Sequence, residues 1–349
     1  MRCTYMLPLR WQSDDDIEEL TAYLRRVAAR AQLIVVDGSS DAIFSAHHAA
    51  WTFAEHVRPD ADVRCLNGKV AGVVTGLRRA GHEAVVIADD DVRYDEEVLA
   101  RVCTLLDRFD LVRPQNYFDP LPWHAAWDTA RTLINRSFWR DFPGTLGLRR
   151  SVLERSGWYD GDVLFENLQC IRTVHAAGGR EVAPLDLYVR RLPPRARRFW
   201  SQRVRQAYDD FALPGRMAVE LSVLPFAVVS ALAWGPSALA SMVGAAIGLA
   251  EIGRRRADGR AVFPARAALF APLWVAERAI TSWLAVATRV VFGGVRYGDH
   301  RITRATAPVV APKTHAAASP ERRRADDGGR FERGRMIDHA ENEHIAAER

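Results

Sequence analysis

The chain contains 349 residues with a net charge of +5, and 48% of its residues are apolar. This length allows one large domain with appended segments, or two domains of ordinary size. The four cysteines have neither CxxC nor Cys/His spacing, so the sequence suggests no disulfide framework and no zinc site, and a reducing compartment is expected. The first apolar run is too short for a signal peptide, so the N-terminal domain is expected on the cytoplasmic side.

The N-terminal third alternates apolar runs with amphipathic stretches. This pattern predicts strands at 3–9, 32–40, 62–66 and 84–91, and helices at 13–31, 43–56, 67–81 and 95–109. Such alternation is typical of an α/β fold with a mostly parallel sheet. Ligand-binding groups collect where parallel strands end, and Asp37 and the aspartates at 89–91 both lie at predicted strand ends.

Three aspartates, Asp89, Asp90 and Asp91, directly follow the apolar run at 84–88. Adjacent carboxylates repel one another unless a cation lies between them. Mg²⁺ and Mn²⁺ prefer oxygen ligands and commonly take one or two carboxylates together with substrate phosphate oxygens. A solvated turn or a helix N-cap is an equally open interpretation, because the acidic residues 95–97 also precede a helix and suit its dipole. No GxxxxGK[ST] motif occurs, which disfavours a P-loop NTPase.

The C-terminal half differs in composition. Residues 221–250 contain no charged side chain and exceed the ~20 residues that a membrane-spanning helix needs, with an interruption at Trp234 and Pro236. Arginines follow this run, which predicts a hairpin over 217–252 whose two ends lie on the cytoplasmic side. A buried helix pair of a soluble protein is the alternative.

Two further segments complete the chain. The apolar segment 263–292 also carries charged side chains, so it is predicted to be interfacial, re-entrant or packed against other helices. Residues 305–349 are polar and predicted to be disordered. The sequence therefore predicts a cytoplasmic domain at 1–214, membrane-embedded helices at 215–295 and a polar tail.

Several motifs occur in order along the chain, namely IVVDGSSD, NGKVAGVVTGLRRAG, VVIADDD, VLFENLQCIRTVHAAGG and QRVRQ. Together with the apolar segments that follow, they resemble the family 2 glycosyltransferases of the GT-A fold over roughly residues 3–300. The arrangement is similar to ceramide glucosyltransferase-like and polysaccharide-synthase-like members. The resemblance implies a Rossmann-like α/β domain that binds a nucleotide-diphosphate sugar, C-terminal membrane helices, and inverting transfer assisted by Mg²⁺ or Mn²⁺.

The resemblance also implies roles for residues on the donor side. Asp37 matches the aspartate that binds the nucleotide base, and a turn-forming aspartate is the alternative. Asp89 and Asp91 match a D-x-D pair that holds the metal, with Asp89 also near the ribose and Asp90 as a spacer. Lys69 is expected to approach the donor, with a solvated lysine at a helix start as the alternative.

On the acceptor side, Glu166 is the candidate general base that deprotonates the acceptor hydroxyl. The family usually has Glu-Asp where this chain has Glu166 and Asn167, so the register of this motif stays open, and a helix-start glutamate is the alternative. Gln202, Arg203 and Arg205 match the membrane-proximal Q-x-x-R-W motif and are expected to bind the diphosphate or the acceptor.

Aromatic residues add a further expectation about the acceptor. The tryptophan of the membrane-proximal motif is replaced by Gln206. Trp200 lies nearby and either substitutes as an acceptor platform or anchors the chain at the membrane interface. Trp123, His124 and Trp127 either line the acceptor path or serve ordinary packing.

These inferences predict a glycosyltransferase in the inner or plasma membrane, with a lipid-linked or membrane-delivered acceptor. A sugar nucleotidyltransferase would share the α/β architecture and the aspartates, but it would give the membrane helices no role. A catalytically inactive scaffold of the same fold is suggested by Asn167 and Gln206. Seven arginines lie between residues 190 and 205, directly before the apolar segment. Nucleic-acid binding is not expected, because this arginine-rich stretch abuts the apolar segment and lacks an interleaved aromatic pattern.

Overall fold

The computed structural model describes residues 1–13, 16–138, 141–298 and 300–309. Its strands are β1 (Cys3–Leu9), β2 (Gln32–Asp37), β3 (Glu55–Val57), β4 (Ala84–Ala88), β5 (Val92–Arg93), β6 (Leu111–Val112), β7 (Gln115–Phe118), β8 (Thr145–Arg149), β9 (Glu181–Val182), β10 (Tyr188–Arg191), β11 (Val295–Tyr297) and β12 (His300–Ile302). Its α-helices are α1 (Ile17–Ala28), α2 (Asp41–Ala50), α3 (Gly68–Arg79), α4 (Glu96–Leu106), α5 (Trp123–Phe138), α6 (Arg150–Arg155), α7 (Glu166–Ala176), α8 (Ala196–Ser201), α9 (Arg203–Asp209), α10 (Pro214–Trp234), α11 (Pro236–Arg255), α12 (Gly259–Val262), α13 (Ala265–Ala268) and α14 (Ala271–Phe292).

The central sheet has seven strands in the order β3-β2-β1-β4-β8-β6-β9. Strands β3, β2, β1 and β4 run parallel, whereas β8 is antiparallel to both β4 and β6. The predicted α/β class with a mostly parallel sheet is therefore confirmed. A second sheet joins β5, β10 and β7, and it begins directly after the aspartates that follow β4.

Helices cover both faces of the central sheet. Successive residues of a strand point to opposite faces, so the residues of β1 pack alternately against the two layers of helices. Tyr5 and Leu7 of β1 belong to the core formed with α1 and α4. Met6, which lies between them, belongs to the core formed with α3 and α7. Strand β1 is thus buried on both faces, which explains its continuous apolar run.

The helix predicted at 43–56 is too long. Helix α2 ends at Ala50, and residues 55–57 form β3, which pairs with β2 at the edge of the sheet. Helix α1 begins at Ile17 instead of near Ser13, and its N-cap residue Asp16 makes no side-chain capping bond. The helix predicted over 13–31 is therefore longer than α1 at both ends.

The strand predicted at 62–66 is a loop. Its backbone pairs with another loop and not with a strand: Leu66 N donates to Asp162 Oδ1 at 2.8 Å, and Asn67 N donates to Gly161 O at 2.9 Å. These bonds bring the start of α3 next to the segment that precedes α7, which matters for the site described below.

The proline- and aromatic-rich region 116–145 contains α5, a helix that the sequence did not predict. Leu133 of α5 packs with Ala250 of α11 in a shared core. The two helices approach so closely at Gly253 that an added Cβ would lie 1.8 Å from Leu133 O. The predicted domain boundary at residue 214 therefore coincides with the start of the apolar helices. However, α5 before this boundary and α11 after it share one hydrophobic core.

The predicted interruption of the apolar run is confirmed. Helix α10 ends at Trp234, Gly235 has φ 69°, and α11 begins at Pro236. By length and composition, the segments Pro214–Trp234 and Pro236–Val262 are each able to cross a membrane. Large apolar side chains on α10 point outward, and Leu232 is 83% exposed.

The third apolar segment forms α13 and α14, and α14 packs against α5, α9 and α10. Two charged side chains of α14 are paired within this packing, whereas Arg289 is exposed. Arg278 Nη1 lies 3.3 Å from Oδ2 of Asp210, directly after α9, and Glu277 Oε2 lies 3.6 Å from Arg203 Nη1. Of the three arrangements expected for this segment, packing against other helices is the one observed.

The predicted tail begins too early. Phe165 N donates to Ala305 O at 2.9 Å, and Ala307 N donates to Gln169 Oε1 at 2.9 Å. The chain after β12 therefore returns to the N-terminal domain and packs against the start of α7. The remainder of the predicted tail, residues 310–349, lies outside the described residues.

Candidate active site

The site lies at the carboxyl edge of the parallel strands. Because β2, β1 and β4 are adjacent and parallel, the residues that follow them meet at this edge. Trp11, which follows β1, connects the segment after Asp37 with the aspartates at 89–91. Its backbone N donates to Ser39 Oγ at 2.8 Å, and its Nε1 donates to Asp90 Oδ2 at 2.5 Å. The Asp90 carboxylate is thus engaged by Trp11.

Lys69 joins two of the predicted site carboxylates. Its Nζ lies 2.6 Å from Asp89 Oδ1 and 2.7 Å from Glu166 Oε1. Asn67 caps α3 by accepting a hydrogen bond from Lys69 N, which fixes the start of the helix that carries this lysine. The alternative of a freely solvated Lys69 is therefore wrong.

Burial and charge compete within this group. Burial disfavours the ammonium form of Lys69, but the charges of Asp89 and Glu166 outweigh it and raise the Lys69 pKa above its usual range. Burial raises the pKa of Glu166, and Lys69 opposes that shift. Glu166 begins α7, and the adjacent Asn167 accepts a weaker bond from Lys69 Nζ at 3.4 Å. Glu166 is therefore the carboxylate that this motif contributes.

Asp91 pairs with an arginine that the sequence did not single out as a site residue. Arg191 Nε lies 3.0 Å from Asp91 Oδ1 and Nη2 lies 2.5 Å from Asp91 Oδ2, a two-point contact. Arg191 Nη2 also lies 3.7 Å from Asp89 Oδ2. Burial raises the pKa of Asp91, with Arg191 opposing the shift. Arg191 reaches Asp91 because β10 pairs with β5, so only the fold reveals this contact.

Gly144 leaves open the space beside these carboxylates. A Cβ at this position would lie 2.6 Å from Asp89 Oδ2 and 2.9 Å from Arg191 Cζ. The backbone is fixed there, since Asp89 N donates to Gly144 O at 2.9 Å and Gly144 N donates to Asn116 Oδ1 at 2.8 Å. Only a glycine fits at this point without displacing a site residue.

The donor set suits a hard divalent cation. Asp89 and Asp91 offer carboxylate oxygens beside the gap that Gly144 maintains, and such oxygens are the ligands that Mg²⁺ and Mn²⁺ prefer. In the described arrangement Lys69 and Arg191 contact these same oxygens. A cation would therefore bind by taking over oxygens that the two basic side chains now neutralise.

Asp37 lies at the same sheet edge but not within this group. Its side chain is 0% exposed, and it accepts hydrogen bonds from Ser39 N at 2.8 Å and from His47 and His56. These partners hold the pKa of Asp37 far below its usual range, despite burial. The expected direct contact between Asp37 and a nucleotide base is therefore corrected, because all of its surface is covered by protein.

A cleft of ≈ 370 Å³ opens in front of Asp37. It is lined by Arg10, Trp11, Gln12, Gly38, Ser39, Ser40 and Ile43. Trp11 and Ser39 are the residues that link this cleft to Asp90, so the cleft adjoins the aspartate cluster. Backbone and hydroxyl groups next to Asp37, and not its carboxylate, face the opening.

The structure corrects the role predicted for Arg203. Its Nη1 lies 3.0 Å from Asp128 Oδ1, its guanidinium covers Phe199 at 4.1 Å, and its side chain is only 4% exposed. Gln206, which replaces the motif tryptophan, accepts a hydrogen bond from Arg203. Arg203 thus joins α9 to α5 inside the protein, where a diphosphate has no access.

The other two residues of that motif differ from Arg203. Gln202 is half-buried at the junction of α8 and α9. Arg205 is half-buried, and its guanidinium lies 5.4 Å from the Tyr297 ring centroid. Burial raises the pKa of Tyr297, and the charges of Arg205, Glu166 and Lys69 also act on its hydroxyl. Arg205 therefore packs against Tyr297, whose hydroxyl is close enough to the Lys69 cluster for the cluster charges to act on it.

Asp209 is a second neighbour that sequence reasoning missed. Its Oδ1 is enclosed, and none of the described residues donates a hydrogen bond to it. Burial raises the pKa of Asp209 to about 7; Arg205 opposes this shift and Glu166 reinforces it.

The aromatic residues form one packed group. Trp123, Trp127 and Trp200 lie with ring centroids 5.5–6.5 Å apart around the buried Phe199. His124 Nε2 contacts Pro194 O at 2.7 Å. Trp123 and Trp200 are still half exposed, at 50% and 47%. Packing therefore explains most of this group, and the outer faces of two tryptophans stay open.

No family model and no curated protein matches this chain. Among solved structures, it is similar to a mannosyltransferase from Pyrobaculum calidifontis in complex with GDP-mannose and Mn²⁺, with 19% identity, coverage of 81% of this chain and 87% of that chain, and a TM-score of 0.47. It is also similar to glucosyl-3-phosphoglycerate synthase from Mycobacterium tuberculosis, with 18% identity, coverage of 56% and 72%, and a TM-score of 0.40. A third similar structure is mannosyl-3-phosphoglycerate synthase from Rubrobacter xylanophilus, with 15% identity, coverage of 58% and 70%, and a TM-score of 0.40.

Proposed function

We propose that the chain is a glycosyltransferase that moves a sugar from a nucleotide-diphosphate donor to an acceptor hydroxyl. The observation that carries the proposal is the convergence of Asp89, Asp91 and Glu166 around Lys69 and Arg191 at the carboxyl edge of a parallel sheet. Motifs that are far apart in the sequence are thereby brought into one cluster. The family 2 resemblance of those motifs supports the same reaction.

The donor would lie along the sheet edge. The cleft beside Trp11 and Ser39 is the place for the nucleotide base, and the diphosphate would extend from it toward Asp89 and Asp91. A divalent cation held by these two aspartates would neutralise the charge that develops on the departing nucleoside diphosphate. Arg191 contacts both aspartates and supplies a fixed positive charge at the same point.

Glu166 would act as the general base. As the acceptor oxygen bonds to the anomeric carbon, its proton passes to Glu166 and the bond to the diphosphate oxygen breaks, which inverts the configuration in one step. Burial raises the pKa of Glu166 and so makes it a stronger base than an exposed glutamate. Lys69 holds its carboxylate in place at 2.7 Å.

The acceptor is proposed to be lipid-linked or delivered at a membrane. Two segments, Pro214–Trp234 and Pro236–Val262, are long and apolar enough to cross a bilayer. Arg205 on α9 lies only a few residues before α10, so the site and the apolar helices are adjacent in the chain. Arginines follow α11, which favours a hairpin with both ends, and the catalytic cluster, on the cytoplasmic side of the inner or plasma membrane.

A donor screen tests the proposal. Detergent-solubilised protein is incubated with UDP-, GDP- and TDP-sugars, with and without Mn²⁺, and the products and thermal stability are measured. We expect one class of donor to stabilise the protein and to release nucleoside diphosphate slowly, in both cases only with Mn²⁺. Formation of nucleoside triphosphate and sugar 1-phosphate from the donor when pyrophosphate is added would indicate a nucleotidyltransferase instead. Absence of both binding and release across the panel would indicate an inactive scaffold.

A further inference from the structure

A second group of potential metal ligands lies behind the cleft lined by Trp11 and Ser39, away from Asp89 and Asp91. Asp37, His47 and His56 each offer one ligand atom, and these atoms all lie within 4.8 Å of one another. The three residues come from different elements, the end of β2, helix α2 and strand β3. Their side chains are at most 1% exposed, so the group lies in the protein interior.

The two histidine nitrogens approach the same carboxylate oxygen of Asp37. Asp37 Oδ2 lies 2.6 Å from His47 Nδ1 and 3.1 Å from His56 Nε2. The other oxygen, Oδ1, accepts a hydrogen bond from Ser39 N at 2.8 Å, which fixes the orientation of the carboxylate. Two imidazoles with one carboxylate form a donor set that Zn²⁺ binds well.

The surrounding side chains hold both imidazole rings in place. His47 stacks on Trp51 with ring centroids 4.3 Å apart, and His56 stacks on Phe44 at 4.4 Å. The second ring nitrogen of His56, Nδ1, lies 3.2 Å from His48 Nδ1. Histidines that bind a metal characteristically have such a partner on the other nitrogen, because it fixes the tautomer.

We propose that Asp37, His47 and His56 bind one Zn²⁺ that ties β2, α2 and β3 together. Three protein ligands are the number found in zinc sites that keep one position for water. Gly38 and Ser39, directly after Asp37, line the cleft from which that water would enter. The ion would shape the rear wall of the cleft, and it is separate from the cation at Asp89 and Asp91.

Metal analysis tests this site without any activity assay. Untagged full-length protein in detergent is stripped with EDTA, incubated with ZnCl₂, desalted and analysed for zinc. We expect about one retained equivalent, because buried histidine and carboxylate ligands bind Zn²⁺ tightly. His47→Gln and His56→Gln should each lose that equivalent. His175→Gln, which changes a 47%-exposed histidine, and Asp91→Asn should each retain it.

A Co²⁺ titration guards against misfolded variants. The wild-type protein should show the visible absorption of Co²⁺ bound by nitrogen and oxygen ligands, and EDTA should lower its melting temperature. Folded His56→Gln, checked by circular dichroism, should show neither effect. The proposal is overturned if the wild-type protein retains no Zn²⁺ and gives no Co²⁺ spectrum. It is equally overturned if both histidine variants retain a full equivalent.

Discussion

Two clusters of arginine or lysine with carboxylates occupy very different surroundings in this protein. The edge cluster lies at the end of the parallel strands and contains Lys69, Asp89, Asp91, Glu166 and Arg191. The helix cluster lies between α5, α9 and α14 and contains Asp128, Arg203, Asp210, Glu277 and Arg278. Side chains of the edge cluster are 10–26% exposed, whereas those of the helix cluster are 3–10% exposed.

This difference in exposure distinguishes a cluster that is able to bind a ligand from one that holds helices together. A partly exposed ion pair can exchange one partner for a ligand, because water and the ligand compensate the charge. A buried pair cannot lose a partner without leaving an uncompensated charge in the interior. Arg203 on α9 belongs to the helix cluster, whereas Arg205 on the same helix packs against the Tyr297 ring, so neighbouring arginines of one motif have different surroundings.

The largest expected effect is at the edge cluster. Asp91→Asn removes a negative charge at the proposed cation site but keeps the shape of the side chain. We expect metal-dependent sugar transfer to fall by about 10³-fold, the scale seen when one transition-state charge contact is lost. The melting temperature should change little, since Arg191 can turn to Asp89, 3.7 Å away. Full activity in Asp91→Asn would remove Asp91 from the site.

The helix cluster should respond in the opposite way. Arg203→Met removes the cation nearest to buried Asp128 and Glu277 and leaves Asp128 only the longer contact with Arg131 at 3.8 Å. We expect a loss of about 3 kcal/mol in the free energy of unfolding. Arg205→Met is the matched control on the same helix, and it should lower transfer with little change in stability. Denaturant unfolding and activity of both variants give the comparison. Equal losses of stability would abolish the distinction between the two arginines.

A smaller effect is expected from crowding the edge cluster. Gly144→Ala places a methyl group 2.6 Å from Asp89 Oδ2. We expect Mn²⁺ to bind on the order of tenfold more weakly, as is usual when the support of a ligand is disturbed. Gly68→Ala is the control, because a Cβ there meets nothing within 4 Å. Unchanged Mn²⁺ affinity in Gly144→Ala would mean that the cation does not use Asp89.

The last expected effect concerns pH and stability. The pKa of Asp209 is raised from 3.8 to about 7 in the folded protein. Between these values the folded state binds more protons than the unfolded state, so stability falls as pH rises through this range. Asp209→Asn removes this titration, and its melting temperature relative to wild type should be higher at pH 8 than at pH 5. A difference that does not depend on pH would show that Asp209 is not buried as described.

The sequence predicted well those features that depend on local pattern. The strands that end at Asp37 and Ala88 were recognised because their apolar runs are continuous, although the predicted ranges 32–40 and 84–91 extend beyond the ends of β2 and β4. Lys69 and Glu166 were singled out because they lie in motifs that resemble family 2 glycosyltransferases, and both lie at the start of a helix. The structure adds that one lysine bridges Asp89 and Glu166, which no spacing could show.

The features that were missed depend on contacts between distant parts of the chain. Arg191 meets Asp91 through the pairing of β10 with β5. Tyr297 packs against Arg205 because the chain returns from α14, and no residue near it in sequence signals that return. Asp37 was expected to face a ligand, but His47 and His56 cover it, and their approach depends on a short edge strand that the sequence reading placed in a helix.

The central claim is that Asp89 and Asp91 hold a divalent cation together with a nucleoside diphosphate. Calorimetric titration of the wild-type protein with UDP and GDP, with and without Mn²⁺, tests it most directly when repeated with Asp91→Asn. We predict that at least one of the two nucleotides binds the wild-type protein only when Mn²⁺ is present and does not bind Asp91→Asn. Binding that is indifferent to Mn²⁺, or that persists in Asp91→Asn, would contradict the claim.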